Sequence, residues 1–362
     1  LLKNNDQILP LSPDTRILAA GPNADRMRPL CGGWSFSWQG DIVDQVLPNG
    51  TTFVDAIRAI GGDNVDFVAG VEYASKGHFA TECNIDIKAA VKAAEKAEVV
   101  VLCIGENSYC EAPGNITEMA ISENQQRLAK ALIATGKPVV LVLNEGRGRI
   151  ISSFVDNTAA VLHTYIPGTE GARALADILY GKVNPSGKLP YTYQKYSNAM
   201  NTYDHKVSES VDTMEGAYDY NAVVSAQWAF GYGLSYTTFE YSNLRVIEGQ
   251  EFKAGDTIRI AVDVKNIGKR SGKESVLLFI NDDVASIVPD ARRLRDFEKV
   301  EIAAGESTTV EFEIRAEELA MAANDGKWHL EEGTFTIQCG NLTDRLTCTE
   351  TTHLGPNIRL NR

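Results

Sequence analysis

VVVLCIGENSYCEAPGN, residues 99–115, is the stretch that decides the fold. Its first six residues are apolar without a break, the signature of a strand covered on both faces. Gly105 then ends the apolar run, and a polar loop follows. Four other segments read the same way: RILAAG (16–21), VDFVA (65–69), VVLVLN (139–144) and AVLHTY (160–165). Between them lie amphipathic patterns. NIDIKAAVKAAEKA (84–97) repeats apolar residues at steps of three and four, and residues 122–135 do so behind Ser122 as an N-cap. TEGARALADILY (169–180) is a third helix, stopped by Gly181. Strands alternating with helices imply a mainly parallel sheet flanked by helices, an α/β sandwich over residues 1–195.

Residues 196–235 lose this regularity. They are polar and aromatic without a sustained period, and read as a long linker. From residue 236 to 362 the pattern becomes all-β. Residues 257–266, 274–281, 307–314 and 334–339 alternate apolar and polar, with turn signals between them at the spacing of a β-sandwich. Cys339 and Cys348 flank GNLTDRLT, so a disulfide across a hairpin is one expectation, with register left open. No CxxC pair occurs among the six cysteines, which removes zinc-ribbon and thioredoxin-type chemistry. The net charge of −13 argues against nucleic acid or an anionic membrane as partner. No apolar run is long enough to span a bilayer.

In a parallel α/β sheet, chemistry gathers at the carboxyl ends of the strands. The loop after the 99–105 strand puts Glu106, Tyr109 and Glu111 there. A carboxyl group on such a loop, partly buried against a neighbouring domain, can serve as a general acid; taken alone, a solvated surface carboxylate is the commoner outcome. CGGWSFSWQGD (31–41) is a second candidate. Trp34 and Trp38 form either an aromatic platform for sugar rings, with Gln39 or Asp41 to bind hydroxyls, or a pair of core residues pinning a loop. No phosphate loop, GxSxG or HExxH pattern occurs, and GPNAD (21–25) lacks dinucleotide spacing. No cofactor and no metal site is read. His163 is a strand residue, and His78 and His205 lie in polar loops without ligand spacing.

Taken together and in order, these segments resemble the second and third domains of glycoside hydrolase family 3. ILAAGPNAD, CGGWSFSWQGD, VVVLCIGENSYCEAPGN, GKPVVLVLNEGR, PGTEGARALADILYGKVNPSGKLPYTY and FGYGLSYTTFEYS all occur in the family's order. ARRLRDFEKVEIAAGEST and DGKWHLEEGTFTI look like its fibronectin-III-like domain. The resemblance implies a retaining, exo-acting β-glucosidase that releases terminal glucose from β-glucoside oligosaccharides. In it, Glu111 matches the general acid/base. Glu106 is the competing carboxylate, with Tyr109 beside it in a supporting role. Trp38, and less strongly Trp34, match a tryptophan of the leaving-group subsite. The family's nucleophile is an aspartate on an N-terminal (β/α)8 barrel, which this chain lacks; the isolated chain is therefore expected to be inactive. The competing expectation is a stand-alone carbohydrate-binding or assembly module. The substrate class implies a secreted or periplasmic protein.

Overall fold

The computed structural model describes residues 1–199, 202–206 and 226–355. The α/β unit is built on six strands: β1 (Lys3–Asn4), β2 (Ile17–Ala20), β3 (Val65–Phe67), β4 (Val99–Gly105), β5 (Val139–Asn144) and β6 (Ala160–His163). Their order across the sheet is β1-β6-β5-β4-β2-β3. All neighbours are parallel except β1, which closes one edge antiparallel to β6. The chain leaves β2 in one direction to β3 and in the other to β4. The point of reversal lies between β2 and β4, where open α/β sheets place their ligands.

The unbroken apolar runs are explained by helices on both faces. Along β4, Val99, Val101 and Cys103 join one core with α1 (Phe53–Gly61) and α4 (Gly171–Leu179). Val100, Leu102 and Ile104 join the opposite core with α2 (Ile87–Ala94) and α3 (Glu123–Ile133). Every residue of β4 and β5 is buried. A Leu102→Ala change would leave a cavity in the core shared with α2 and α3 and cost about 2–5 kcal/mol. Ser122 caps α3 by accepting from the Gln125 N–H at 3.2 Å. Helix α1 was not read from the sequence, although it is amphipathic and carries a full capping box. Thr52 Oγ1 accepts from the Asp55 N–H, and the Asp55 carboxylate accepts from the Thr52 N–H at 3.0 Å.

The second unit is a β-sandwich. Phe239–Val246, Thr257–Asn266 and Ser307–Arg315 form a three-stranded sheet. Its partner orders Glu251–Phe252, Leu342–Cys348, Gly333–Cys339, Gly272–Asp282 and Arg293–Ile302. Their inner faces enclose Ile260, Val262, Leu278, Ile280, Phe335 and Ile337. Arg293–Ile302 is an edge strand; its charged, largely exposed sequence hid it from pattern reading but suits an edge that must not pair with another chain.

The hairpin disulfide that the sequence left open does not form. The turn is Gly340–Asn341, shorter than read from sequence, so Cys339 pairs with Leu342 while Cys348 lies opposite Gly333 at the far end of the ladder. Both thiols are free and buried. Trp328 packs against the sandwich core.

Residues 207–225, the middle of the expected linker, lie outside the described residues. At one end of that stretch, Ala226–Trp228 returns to pair with Tyr193–Gln194 of the α/β unit. The two units meet through polar contacts. Asn184 accepts from Ser235 Oγ and the Tyr236 N–H, each at 2.8 Å, and its amide donates to the Ser271 carbonyl. Lys188 bridges to Glu274 at 3.1 Å.

Candidate active site

The loop following β4 starts with a steric requirement. Gly105 has φ +147°, and a Cβ there would fall 2.0 Å from the Asn144 carbonyl oxygen of β5. Only glycine lets the chain leave the sheet this close to its neighbour. Just beyond, Asn23 from the loop after β2 donates to the Glu106 carbonyl at 3.0 Å and to Asn144 Oδ1 at 3.0 Å, tying three strand ends together.

Glu106 lies in this frame, only 4% exposed. Its Oε1 takes Arg147 Nε at 3.0 Å and Arg149 Nη1 at 2.7 Å. Its Oε2 accepts from the Tyr109 hydroxyl at 3.0 Å and the Gly146 N–H at 3.2 Å. Four donors fill the four lone-pair directions of a carboxylate. The group is occupied and out of reach of solvent. Tyr109 is fixed as firmly: Arg147 stacks on its ring at 4.1 Å, and Phe79 packs beside it with ring centroids 4.8 Å apart. Burial, then the Glu106 charge, push its phenol pKa well up. Arg147 also donates to the Gly114 carbonyl at 2.7 Å, clasping the far side of the loop.

Residues 31–41 are welded to the same loop. The Gln39 amide accepts from the Cys110 N–H and donates to the Cys110 carbonyl, both at 3.0 Å. A Cβ on Gly33 would meet the Tyr109 carbonyl oxygen at 2.6 Å and Cys110 Cβ at 2.7 Å, so glycine is needed for this close approach. Arg28 donates through Nε to Ser108 Oγ at 2.7 Å. Gln39 and Asp41 were candidates for sugar hydroxyls. The Gln39 amide is taken up by the Cys110 peptide, and Asp41 accepts from Ser37 Oγ at 2.7 Å.

Two things project from this frame. One is Glu111, which is exposed and has Cys110 Sγ, at 3.9 Å, as its side chain's one polar neighbour among the described residues. Its backbone sits at φ +51°, ψ −145°, a region glycine favours, at a cost on the order of 1–3 kcal/mol. The other is an aromatic cluster: Trp34, Phe36 and Trp38 are 71%, 55% and 45% exposed. The Trp34 N–H donates to the Trp38 carbonyl at 2.9 Å, closing the loop that carries them. Among the described residues, eight non-glycine residues have positive φ, and four (Trp34, Phe36, Glu111 and Tyr165) lie on loops at this sheet edge. Strain of this kind collects where surrounding structure holds a side chain for a task.

Beneath the frame is a buried group that the sequence reading missed. Glu145 is 1% exposed, and its Oε1 lies 2.6 Å from the Tyr193 hydroxyl. That hydroxyl also lies 2.7 Å from the Arg149 carbonyl, which can only accept. One phenol proton cannot serve both. The two acceptors compete for it, and protonation of Glu145 removes that competition by letting the carboxyl donate to Tyr193 in turn. Burial above all, with the Glu106 charge adding to it, lifts the Glu145 carboxyl to about 8. Burial pushes the neighbouring His163 down to about 4. Its Nε2 lies 2.9 Å from the Tyr191 hydroxyl, and its Nδ1 is 4.0 Å from Glu145. That contact joins an acid and an imidazole that are both neutral near pH 7, so it is not an ion pair. Arg28, Glu145, Arg147 and Arg149 were all unread, and Gln39 was read for a different role. GRGR at 146–149, directly after β5, was the one local signal: alternating glycine and arginine at a strand's carboxyl end.

With this geometry in place, the kinship of the chain is clear. Residues 1–236 match the glycosyl hydrolase family 3 C-terminal domain, and residues 274–343 match the fibronectin type III-like domain. The chain belongs to glycoside hydrolase family 3. It is 39% identical to a lysosomal beta glucosidase of Dictyostelium discoideum, over 94% of this chain and 42% of that protein. It is 33% identical to a periplasmic beta-glucosidase of Salmonella typhimurium, over 94% of this chain and 46% of the relative. The solved beta-glucosidase of Listeria innocua in complex with glucose superposes with a TM-score of 0.83 at 28% identity, covering 96% of this chain and 48% of that one. The chain thus spans about half the length of the relatives it matches.

Proposed function

We propose that this chain is the acid/base-bearing part of a retaining, exo-acting β-glucosidase. Glu111 is the proton donor and acceptor, and Trp38 and Trp34 flank the leaving-group side of the substrate. The observation that carries this reading is the contrast within one loop. Glu106 has every lone pair engaged, whereas Glu111 is exposed with only the Cys110 thiol against it among the described residues, on a strained backbone in a loop bonded to the one that exposes Trp34 and Trp38. A group that must give up and retake a proton needs an open lone pair and access to substrate.

The second carboxylate is an aspartate on an N-terminal (β/α)8 barrel, docked so that the two carboxyl groups are about 5–5.5 Å apart, the retaining spacing. The barrel aspartate attacks the anomeric carbon while Glu111 protonates the departing oxygen. Glu111 then removes a proton from water, which hydrolyses the glycosyl-enzyme. The substrate is a β-glucoside oligosaccharide, a reading supported by the names of the relatives. A site of action outside the cytoplasm is supported by the periplasmic relative.

The test is direct. The isolated chain should show no turnover of an aryl β-glucoside above background, and adding a cognate barrel should restore it. Steady turnover by the isolated chain would overturn the division of labour. Affinity for oligosaccharides that leads to no hydrolysis even with the barrel present would instead favour a binding module built on Trp34, Phe36 and Trp38.

A further inference from the structure

A second polar cluster lies far from this loop, on the sandwich. Trp328–Leu330 is the middle strand of a small antiparallel sheet, between Met321–Ala322 and Thr352–Gly355. The register sets His329 directly opposite His353. Directly opposed residues on antiparallel strands project from the same face. Here the two rings meet edge-on, centroids 4.3 Å apart, with their Nδ1 atoms separated by 3.1 Å.

Two imidazole nitrogens this close can share one proton or one metal ion. With metal–nitrogen bonds of about 2.0–2.1 Å, that separation corresponds to an N–metal–N angle of about 95–102°. The value falls between the octahedral and tetrahedral angles.

The other nitrogen of His329 supplies a second observation. Nε2 lies 3.2 Å from Asp325 Oδ2. A carboxylate there holds the proton on Nε2, so the Nδ1 of neutral His329 carries a lone pair facing His353. Ligating histidines are typically oriented by such a carboxylate partner. The His329 side chain is largely covered, at 14% exposure, whereas His353 is exposed. One ligand is therefore held in place, and the other is open to an arriving ion.

We propose that His329 and His353 form a chelating site for a divalent late transition-metal ion, oriented by Asp325 and completed by water. Among the described residues, no group of three or more His, Cys, Asp or Glu side chains could hold a metal, so these residues supply two ligands to the site. Imidazole donors and the usual affinity order place Cu²⁺ ahead of Zn²⁺, and exclude Mg²⁺ and Ca²⁺. Occupancy ties the last described strand to the turn carrying Asp325 and stabilises the sandwich by linkage. No redox step is implied.

The test uses the full chain without an affinity tag, stripped by chelator and titrated with CuCl2, ZnCl2 or MgCl2. Calorimetry should give one Cu²⁺ per chain and a weaker Zn²⁺ site, with no Mg²⁺ binding. The Cu²⁺ spectrum by electron paramagnetic resonance should carry splitting from two nitrogens. His353→Ala, at an exposed position, should abolish the one-to-one site, and Asp325→Asn should weaken it about tenfold. His78→Ala, distant in the fold, should leave it unchanged. If Cu²⁺ affinity is the same in His353→Ala, or no stoichiometric binding occurs, the pair shares only a proton and the metal site is refuted.

Discussion

Glu106 and Glu111 stand five residues apart on one loop and occupy opposite environments. Glu106 is locked between two arginines, a tyrosine and a backbone amide. Glu111 leans into solvent on a backbone that glycine would prefer. The difference shows how one loop at an α/β edge can hold two carboxylates in opposite environments. One carboxylate is spent on holding the loop rigid, and that rigidity lets a neighbouring residue be kept in an unfavourable conformation. In this reading the first acts on stability and the second on chemistry, so each substitution should move one and spare the other.

The largest stability effect belongs to Glu106. Glu106→Ala leaves Arg147 and Arg149 without their shared partner, and should lower unfolding free energy by about 3–5 kcal/mol in urea denaturation. Glu111→Ala measured alongside should fall within about 0.5 kcal/mol of the parent. Comparable losses at both positions would erase the contrast.

The next effect is a pH dependence beneath the frame. The Glu145 carboxyl is raised from 4.5 to about 8 by burial. A raised acid favours folding fully below its unfolded value, and that contribution is lost as pH rises through the folded one. His163, lowered from 6.5 to about 4, acts oppositely and only at the acid end. From pH 6.5 to 8 the fall in stability belongs to Glu145, opposed by the Leu1 amine, which burial lowers from 8.0 to about 6 and which makes stability rise with pH over the same range. Glu145→Gln, whose amide can donate to Tyr193 as the acid does, should remove that fall. At pH 9 it should be more stable than the parent by on the order of a few kcal/mol. Parallel pH profiles would show that Glu145 is not held protonated.

The smallest effect sharpens the strain argument. Glu111→Gly should raise stability by about 1 kcal/mol, because glycine relieves the positive φ but loosens the unfolded chain. The same change should remove activity from the enzyme carrying both domains. A stability loss would mean that Glu111 is not strained.

The fold was legible where burial is two-sided. VVVLCIG and VVLVLN were read with correct limits because helices on both faces demand unbroken apolar runs. Arg293–Ile302 was not, since an edge strand keeps its charges in water. Whether Cys339 and Cys348 pair was left open by the sequence because the hairpin register depends on turn length, and the turn proved too short to bring them together. At the site, Glu106, Tyr109 and Glu111 were readable from their place after a strand. Their partners were not: Gln39 lies 71 residues from Cys110, and Arg149 lies 43 from Glu106. Contacts of that separation are made by topology and leave no local pattern.

The central claim, that Glu111 and not Glu106 moves the proton, is tested most directly by leaving-group dependence in the enzyme carrying both domains. For Glu111→Gln, turnover of a poor leaving group such as an alkyl glucoside should fall by about 10²–10⁴. Turnover of an activated dinitrophenyl glucoside should fall far less, with partial rescue by azide. Equal loss across leaving groups in Glu111→Gln, or the graded loss appearing in Glu106→Gln instead, would contradict it.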